Sequence, residues 1–412
     1  MQNNIDFINT PVVDIVNNII LYSAKAGVSD IHFDHSDTCL KVRIRIDGIL
    51  NDYADIPNSV KNNIITRIKI ISGMNITETR LPQDGAIRTT LGGMDLDMRV
   101  SSLPTKKGEK IVIRILDYSR SLKGIEYLCF SENNYKKILK MLTDPNGIIL
   151  VTGATGSGKS TTVYSFLQRL NVKGTNLITV EDPVEMEIEG MNQVQVNSEI
   201  GLDFATVLRS ILRQDPNVIM IGEIRDSETA QIAVRASITG HLVLSTLHTN
   251  NSLTTIERLL DMEVERYLLA SALSGIVSQK LARKLCDKCK KARPTTPYEK
   301  EMFKKFLNMN VDQVHEAVGC PHCAGGYKGR IAIQEVLLIS SQIRDAISAK
   351  MSKAELRNLV YNSDVITLLQ DGLYKVLAGF TSIEEIIKLT ESDDEVNAAI
   401  KFNQNNQQIQ DS

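Results

Sequence analysis

The residues with the most specific chemistry lie in the segment IILVTGATGSGKSTT, at positions 148–162. Gly153, Gly158, Lys159 and Ser160 match the pattern G-x-x-x-x-G-K-[ST], between a short apolar run and a helical one. In this pattern glycines turn backbone N–H groups toward an anion, the lysine reaches terminal phosphates, and the serine hydroxyl is a ligand for Mg²⁺. The segment therefore predicts a nucleoside triphosphate site with Mg²⁺; the alternative is a glycine-rich turn. The predicted loop comprises Gly153, Ala154, Thr155, Gly156, Ser157, Gly158, Lys159, Ser160 and Thr161.

Acidic residues follow two other apolar runs. The run LITV at 177–180 leads into Glu181 and Asp182, and the run VIMIG at 218–222 leads into Glu223. Parallel strands present their carboxyl ends at one edge of a sheet, so we expect these acids near the phosphate-binding loop. Glu223 is the first candidate for orienting water or acting on Mg²⁺, with Glu181 and Asp182 sharing that work. Each acid alone could instead be a helix N-cap or a solvated turn residue.

A histidine and two arginines are further candidates for phosphate contacts. His248 follows the apolar run LVLST at 242–246 and could contact the γ-phosphate or report its presence; the alternative is a packed, hydrogen-bonded histidine. Arg209 and Arg213 are four residues apart in the helical pattern DFATVLRSILRQD, so they share one helix face. That face could equally be a solvated basic edge. The same pattern predicts Asp203 as the N-cap of this helix.

Four of the six cysteines form two CxxC pairs, CDKC and CPHC. Four thiolates satisfy tetrahedral Zn²⁺ with no open position, as in structural zinc sites, so Cys286, Cys289, Cys320 and Cys323 are predicted zinc ligands. A redox dithiol and an iron–sulfur site are the alternatives. The basic residues beside them suggest a nucleic-acid contact, a solvated face, or a docking surface for an acidic or membrane-associated partner. They are Arg283, Lys284, Lys288, Lys290, Lys291 and Arg293.

The elements that position these groups follow two patterns. Residues 1–115 combine helical runs at 11–26 and 59–72 with alternating β-type runs, which predicts a small α+β domain with turns at 84–85 and 92–93. Farther on, strand runs alternate with helical ones, which predicts an α/β fold with a parallel sheet covered on both faces. After residue 250 the pattern is helical apart from the cysteine segment, and residues 401–412 are predicted to be disordered.

Composition narrows the class of protein. The chain has 412 residues, 42% of them hydrophobic, and a net charge of −2 without any tryptophan. An ordinary globular core fits these values, and the lack of a basic field and of stacking platforms argues against nucleic acid as the main partner. No apolar run approaches the roughly 18 residues of a membrane helix, and the start, MQNNIDFINT, is unlike a signal peptide. We therefore expect a cytosolic protein.

Taken together, these segments resemble the secretion ATPases that drive type II secretion and type IV pilus assembly. The resemblance rests on GATGSGKST, TVEDPVE, LRSILRQDPNVIMIGEIRD, TGHLVLSTLHTN and the two CxxC pairs. It extends upstream to SDIHFD, RLPQDG and RVSSLPTKKGEKIVIRILD, and downstream to GYKGRIAIQEVL and LQDGLYKVLAGFTSIEEI. The resemblance thus covers nearly the whole chain.

The resemblance implies roles for individual residues. Positions 153–161 match the Walker A motif, Glu223 the Walker B glutamate and His248 the His box. The acidic Asp box corresponds to Glu181, Asp182 and Glu185. Arginines that the family places near the phosphates or at the nucleotide and subunit interface correspond to Arg99, Arg114, Arg209, Arg213 and Arg225.

The resemblance also implies an organisation. The expected order is a PAS-like domain at 1–115, a linker at 116–130, a RecA-like ATPase core at 131–282, a zinc module at 283–330, a helical region at 331–400 and a tail at 401–412. Family members form hexameric rings that bind ATP between two domains and use its hydrolysis to move them. Implied partners are an inner-membrane platform protein and a cytoplasmic docking protein, met as a peripheral protein of the inner membrane. We expect the additional N-terminal docking domain of many members to be missing.

The predicted function is ATP hydrolysis that powers assembly of a pilus or pseudopilus. A retraction ATPase is the nearest alternative, but RLPQDG and the four cysteines favour assembly, because retraction members usually lack the metal module. A DNA-translocating ATPase of conjugation or competence is the second alternative, and a regulator that binds ATP without hydrolysing it is the third.

Overall fold

The computed structural model describes residues 6–116 and 124–390, which belong to two compact units, Met1–Arg120 and Ser121–Ser412. Residues 117–123 of the predicted linker, and the predicted tail at 401–412, lie outside the described residues. No helix in the described part of the chain is both long and apolar enough to span a membrane.

The first unit is a six-stranded antiparallel sheet with two helices. Its strands lie in the order β3-β2-β1-β6-β5-β4, with antiparallel pairing throughout. The elements in chain order are α1 (Val12–Ala26), β1 (Asp30–His35), β2 (Cys39–Ile46), β3 (Ile49–Pro57), α2 (Asn58–Ile71), β4 (Gln83–Leu91), β5 (Met94–Thr105) and β6 (Gly108–Leu116). Both predicted helices are confirmed, and this is an α+β arrangement; its likeness to a PAS domain stays a prediction.

Apolar periodicity explains these elements. In α1 the buried residues Ile15, Val16, Ile19 and Ile20 recur at helical spacing, and in β2 buried residues alternate with half-buried ones. These side chains close one hydrophobic core with β1, where Phe33 is fully buried. Packing against this core explains why apolar residues recur at helical spacing in α1 and at every second position in β2.

The turn predicted at 84–85 is wrong, because both residues lie inside β4. Gly85 is needed there for close approach: a Cβ atom on it would lie 2.3 Å from the carbonyl oxygen of Ser72. The turn predicted at 92–93 is confirmed between β4 and β5. The Asp84–Gly85 pair led to the prediction of a turn, but the glycine is there because the strand passes close to another backbone.

The second unit is built on a seven-stranded sheet in the order β15-β12-β7-β11-β10-β8-β9. Short 3₁₀ helices occur at Ile125–Leu128 and Ser198–Ile200. The strands are β7 (Gly147–Thr152), β8 (Leu177–Glu181), β9 (Asn192–Gln195), β10 (Val218–Ile221), β11 (Leu242–Leu247), β12 (Leu273–Leu285), β13 (Lys291–Pro294), β14 (Gln313–Glu316) and β15 (Tyr327–Leu338). The helices are α3 (Glu132–Thr143), α4 (Lys159–Leu170), α5 (Phe204–Ile211), α6 (Ser227–Ile238), α7 (Ser252–Asp261), α8 (Arg266–Ala272), α9 (Pro297–Leu307), α10 (Ser341–Ser348), α11 (Lys353–Tyr361), α12 (Leu368–Leu377) and α13 (Ile383–Thr390).

The central strands run parallel and are buried along their whole length. Each residue of β7, β8, β10 and β11 is buried, which is why these strands read as continuous apolar runs rather than alternating ones. All four predicted strands and the α/β character are confirmed. Asp203 caps α5 as predicted, accepting a hydrogen bond from the backbone N–H of Thr206.

The prediction that the chain is helical after residue 250 is wrong in two places, where the structure has long strands. β12 pairs parallel with β7 and antiparallel with β15, so both strands extend the central sheet. β12 runs through the predicted end of the ATPase core at 282, and β15 occupies 331–338 of the predicted helical region. Polar and basic residues interrupt the apolar pattern of both strands, because their inner halves are buried and their outer halves are partly exposed.

Candidate functional site

The predicted phosphate-binding loop connects β7 to α4. Gly153 has φ 149° and Gly158 has φ 89°, values that favour glycine. A Cβ atom on Gly153 would lie 2.4 Å from the backbone oxygen of Gln279 in β12, so the loop rests directly against that strand. Ala154, Thr155 and Gly156 are exposed at the top of the loop, ahead of the N-terminus of α4. This arrangement suits an anion, because the N-terminus of a helix attracts negative charge.

Lys159 lies inside this loop. Its Nζ donates to the backbone oxygens of Gly153 at 2.9 Å and Ala154 at 3.2 Å. Burial lowers the pKa of Lys159, and the charges of Glu223 and Glu185 oppose that shift. The neighbouring Ser160 hydroxyl donates to Oε1 of Glu185 at 3.1 Å. The loop lysine and serine therefore face the acids that follow β8 and β10.

Glu223 follows β10 and is held by two basic side chains. Arg225 donates to its Oε1, and Nε2 of His248 lies 3.3 Å from its Oε2. NH1 of Arg225 also lies 3.8 Å from Oδ2 of Asp182. Burial disfavours the charged form of Glu223, but the hydrogen bond from Arg225 and the charges of Arg225 and His248 outweigh it, so its pKa is lowered. The predicted Walker B and His box residues thus form one cluster with Asp182 and Arg225.

Glu181, at the end of β8, has a different environment. Its side chain is buried and accepts hydrogen bonds from the hydroxyls of Tyr164 and Thr179 and from Nε2 of Gln193. Burial beside this carboxylate raises the pKa of Tyr164. The donors are all neutral, and they join α4, β8 and β9. Glu181 therefore acts as a clamp between elements, and its oxygens face these donors rather than the loop lysine.

Within the second unit, Arg209 and Arg213 lie outside this cluster. Arg209 forms an ion pair with Glu228 of α6, and Arg213 donates to the backbone oxygen of Arg209 at 2.8 Å and to the Ser210 hydroxyl at 3.1 Å. In the first unit, Arg99 and Arg114 are cross-strand neighbours on β5 and β6. The Nε of Arg114 also donates to Asp30 at 2.9 Å.

Sequence reasoning missed polar residues buried beneath the loop. Gln279 of β12 donates to the backbone oxygen of Ser157 and accepts from the Thr162 hydroxyl. Glu335 of β15 accepts from the backbone N–H of Ser252, at the start of the helix that follows His248. A usable signal was present, since SQ in LSGIVSQKL and QE in IAIQEVLL are polar pairs inside apolar runs. Buried polar residues of this kind need specific partners.

The four predicted zinc ligands come together. The Sγ atoms of Cys286, Cys289, Cys320 and Cys323 all lie within 4.8 Å of one another. The Sγ–Sγ distance is 3.6 Å for Cys320 and Cys323, 3.7 Å for Cys289 and Cys323, and 3.9 Å for Cys286 and Cys320. Tetrahedral Zn²⁺ with Zn–S bonds of about 2.3 Å requires sulfurs about 3.8 Å apart, so the set fits this ion.

Most of the basic residues beside the cysteines are paired with acids. Arg283 binds Glu385 and stacks 4.0 Å from the ring centroid of Tyr327. Arg293 contacts Glu299 and Glu384, with Glu316 at 3.5 Å. The lysines at 284 and 290 both contact Asp287. The charge of these four residues is therefore largely compensated by nearby acids, two of which, Glu384 and Glu385, lie in α13.

The phosphate-binding loop and the cysteine cluster both lie in the part of the chain that matches a known protein family. A family model described as Type II/IV secretion system protein matches residues 8–388. The chain belongs to that family. Family membership confirms the resemblance inferred from the sequence, and the chain is accordingly an ATPase.

Individual relatives agree with this assignment. The putative type II secretion system protein E of Escherichia coli K12 is 43% identical over 94% of this chain and 80% of its own length. The type IV pilus assembly ATPase PilB of Pseudomonas aeruginosa is 43% identical over 93% of this chain and 68% of its own length.

Solved structures agree at the level of the fold. The pilus retraction motor PilT with bound ADP has a TM-score of 0.63 at 25% identity, over 92% of this chain and 98% of that chain. The ATPase DotB of Legionella pneumophila has a TM-score of 0.68 at 21% identity, over 94% of this chain and 100% of that chain. The family thus shares an α/β ATPase fold; the RecA-like details of the core stay a prediction.

Proposed function

We propose that this chain hydrolyses ATP to power assembly of a type IV pilus or a type II secretion pseudopilus. In this proposal it works as a homohexamer at the cytoplasmic face of the inner membrane, with a platform protein and a cytoplasmic docking protein as partners. The observation that supports it is the pairing of the Lys159 loop with the cluster of Glu223, Arg225 and His248. A phosphate cradle beside an ionised carboxylate is what hydrolysis of a phosphoanhydride requires.

The loop would bind the triphosphate. Its backbone N–H groups and Lys159 meet the negative charge, and the buried hydroxyl of Ser157 has no hydrogen-bond partner within the described residues. Ser160 would hold Mg²⁺, with Glu185 and Asp182 accepting from its waters, since hard oxygen donors suit this ion. When bound, Mg²⁺ neutralises phosphate charge.

Glu223 would orient the attacking water and accept its proton. Arg225 keeps Glu223 ionised, and His248 is hydrogen-bonded to the same carboxylate, so His248 can sense a change at the γ-phosphate through Glu223. We assign Glu181 to positioning rather than to catalysis, because its oxygens already accept from three neutral donors.

The other arginines would complete the site in a ring. The Arg209 side chain is 51% exposed and that of Arg114 is 65% exposed, so each guanidinium is accessible at the surface of its own unit. We propose that Arg99 and Arg114, and Arg209 and Arg213, reach phosphate or a neighbouring subunit only on closure. Such an arrangement couples hydrolysis to motion.

The cysteine cluster would hold a structural Zn²⁺. All four coordination positions are filled by thiolates, so the ion supplies folding energy and no reaction chemistry. Replacing Cys286 by serine should lower the bound zinc, measured by elemental analysis, and lower the melting temperature by several degrees. Replacing the exposed Cys129 by serine is the matched control and should change neither. Full zinc content and unchanged stability in the Cys286→Ser protein would contradict the assignment.

Two observations weigh against the alternative functions. The assembly and secretion relatives are 41–45% identical to this chain, whereas the retraction motor PilT is 25% identical. The basic residues near the cysteines are paired with acids, which leaves little free charge for a DNA backbone.

Hydrolysis itself is tested at the loop lysine. We expect Lys159→Ala to lower the ATPase rate by at least about 100-fold, because the terminal phosphates lose their only loop cation. Lys173→Ala, which alters an exposed lysine between α4 and β8, is the control and should keep the wild-type rate. Equal ATPase rates for Lys159→Ala and Lys173→Ala would contradict the proposal that the loop binds the triphosphate.

Ring formation is tested separately. The rate per subunit should rise with protein concentration as the assembly mass rises, and it should collapse in Arg114→Ala. Arg88→Ala, on β4 of the same sheet, is the control. A rate independent of assembly would leave an ATPase without the proposed coupling.

A further inference from the structure

We infer that Gln279 is a positioning residue for the phosphate-binding loop, which it holds from behind through both ends of its side-chain amide. Its Nε2 donates to the backbone oxygen of Ser157 at 2.8 Å, and its Oε1 accepts from the Thr162 hydroxyl at 2.8 Å. Ser157 lies within the loop and Thr162 in the first turn of α4. One side chain therefore spans the loop from its turn to the helix that follows it. The inference rests on the proposed function, since it concerns the same nucleotide site.

The chemistry of the partners fixes the orientation of this amide. A backbone carbonyl oxygen can only accept, so the NH₂ group must face Ser157. The amide oxygen is then left to accept from the hydroxyl of Thr162, which has a proton to donate. No other orientation satisfies both partners, so both contacts depend on a glutamine at this position.

The backbone of Gln279 contributes to the same support. Its carbonyl oxygen lies so near Gly153 that a Cβ atom there would be 2.4 Å away. The loop is thus backed by β12 at Gly153, Ser157 and Thr162. Gln279 is only 1% exposed, so water cannot replace its hydrogen bonds. Losing them should let the loop relax and misalign the N–H groups that meet the phosphates.

The chain supplies a matched control in the neighbouring strand. Gln334 of β15 is the cross-strand partner of Gln279 and is 0% exposed. Its side-chain amide instead donates to the backbone oxygen of Leu128, and its backbone N–H donates to Asp371. Changing Gln334 therefore removes an equally buried amide without touching the loop.

The test is the dissociation constant of Mg²⁺–ADP, measured by titration calorimetry on the full chain together with each variant's melting temperature. We expect Gln279→Met to weaken ADP binding by roughly tenfold, the effect of losing about one buried hydrogen bond. Gln334→Met should lower the melting temperature and leave the affinity within about twofold of wild type. Equal affinity for wild type and Gln279→Met, or an equal loss in both variants, would overturn the inference.

A second pair of variants tests the same contact if a glutamine variant fails to fold. Thr162→Val removes the hydroxyl that donates to Gln279, and Thr162→Ser retains it. We expect Val to weaken ADP binding by about threefold to tenfold and Ser to bind like wild type. Identical ADP affinities for Thr162→Val and Thr162→Ser would contradict the inference that Gln279 positions the loop. Failure of the proposed function looks different: the wild type would bind ADP yet not hydrolyse ATP, and the comparison of affinities would stand.

Discussion

The carboxyl ends of β8 and β10 invite comparison, because two neighbouring parallel strands each lead into a glutamate. At the end of β8, Glu181 is buried and surrounded by hydroxyl and amide donors from three elements. After β10, Glu223 is partly exposed, faces the loop lysine and is held by Arg225 and His248. The same residue type at neighbouring strand ends thus has two settings, which fit the positioning role proposed for Glu181 and the catalytic role proposed for Glu223.

The difference has a physical cause. Three neutral donors satisfy the oxygens of Glu181, and its side chain is buried, so the carboxylate joins elements together. Arg225 and His248 lower the pKa of Glu223 despite its burial, and 17% of its side chain stays exposed. A carboxylate in the second setting can accept a proton from water. Substituting glutamine at both positions should separate the two roles, because glutamine keeps the shape and removes the charge.

The largest effect is expected at Glu223. Glu223→Gln should lower kcat by at least about 100-fold, because the group that accepts the water proton is lost, while ADP affinity stays close to wild type. Steady-state kinetics and titration calorimetry measure the two quantities. Glu189→Gln, an exposed acid after β8, is the control. A Glu223→Gln protein with wild-type turnover would contradict the catalytic role proposed for Glu223.

A smaller effect, on stability rather than turnover, is expected at Glu181. Glu181→Ala leaves three donors without an acceptor and should lower the free energy of unfolding by about 3 kcal/mol. Glu181→Gln keeps an acceptor and should stay within about 1 kcal/mol of wild type, with kcat within about threefold. Urea denaturation and steady-state kinetics give both numbers. Loss of hydrolysis in a stable Glu181→Gln protein would show instead that Glu181 is catalytic.

The smallest effect is a shift in pH dependence. Burial raises the pKa of Glu223, and Arg225 and His248 lower it further than burial raises it. Arg225→Met removes the stronger of these partners, so the pKa of Glu223 should rise. The proposed hydrolysis needs the ionised form, so the acid limb of kcat/KM should move to higher pH.

The control for this shift is an arginine away from the cluster. Arg169 lies in the last turn of α4, and Arg169→Met should leave the acid limb unchanged. An Arg225→Met profile that moves to lower pH, or does not move, would show that Arg225 does not set the ionisation of Glu223.

Much of the central sheet was predictable from the sequence. β7, β8, β10 and β11 are buried along their whole length and read as mainly apolar runs, and the acids at the ends of β8 and β10 stand out because a hydrophobic strand stops there. The cysteine pairs were predictable for a similar reason, since their spacing alone matches a tetrahedral site. The sequence was sufficient to predict these features because each depends on residues that are close together in the chain.

The rest depended on contacts between distant residues. β12 and β15 are separated by the cysteine module, and only their pairing shows that they belong to the central sheet. The separate roles of Glu181 and Glu223 depend on Tyr164, Gln193, Arg225 and His248, which the sequence does not mark as partners. Gln279 was missed because one polar residue in a strand gives no sign of what lies against it.

The continuous course of β12 has a consequence for how relatives can diverge. The strand carries Gln279 against the loop and ends at the residue before Cys286, and its pairing with β15 keeps one register from Gly275 to Arg283 before shifting at Leu285. An insertion or deletion of one residue between Gln279 and Arg283 would turn the side chains that follow it to the opposite face. Natural variation in length should therefore collect in the segment between the two cysteine pairs. The distance from Gln279 to the first cysteine should drift far less across the lineage.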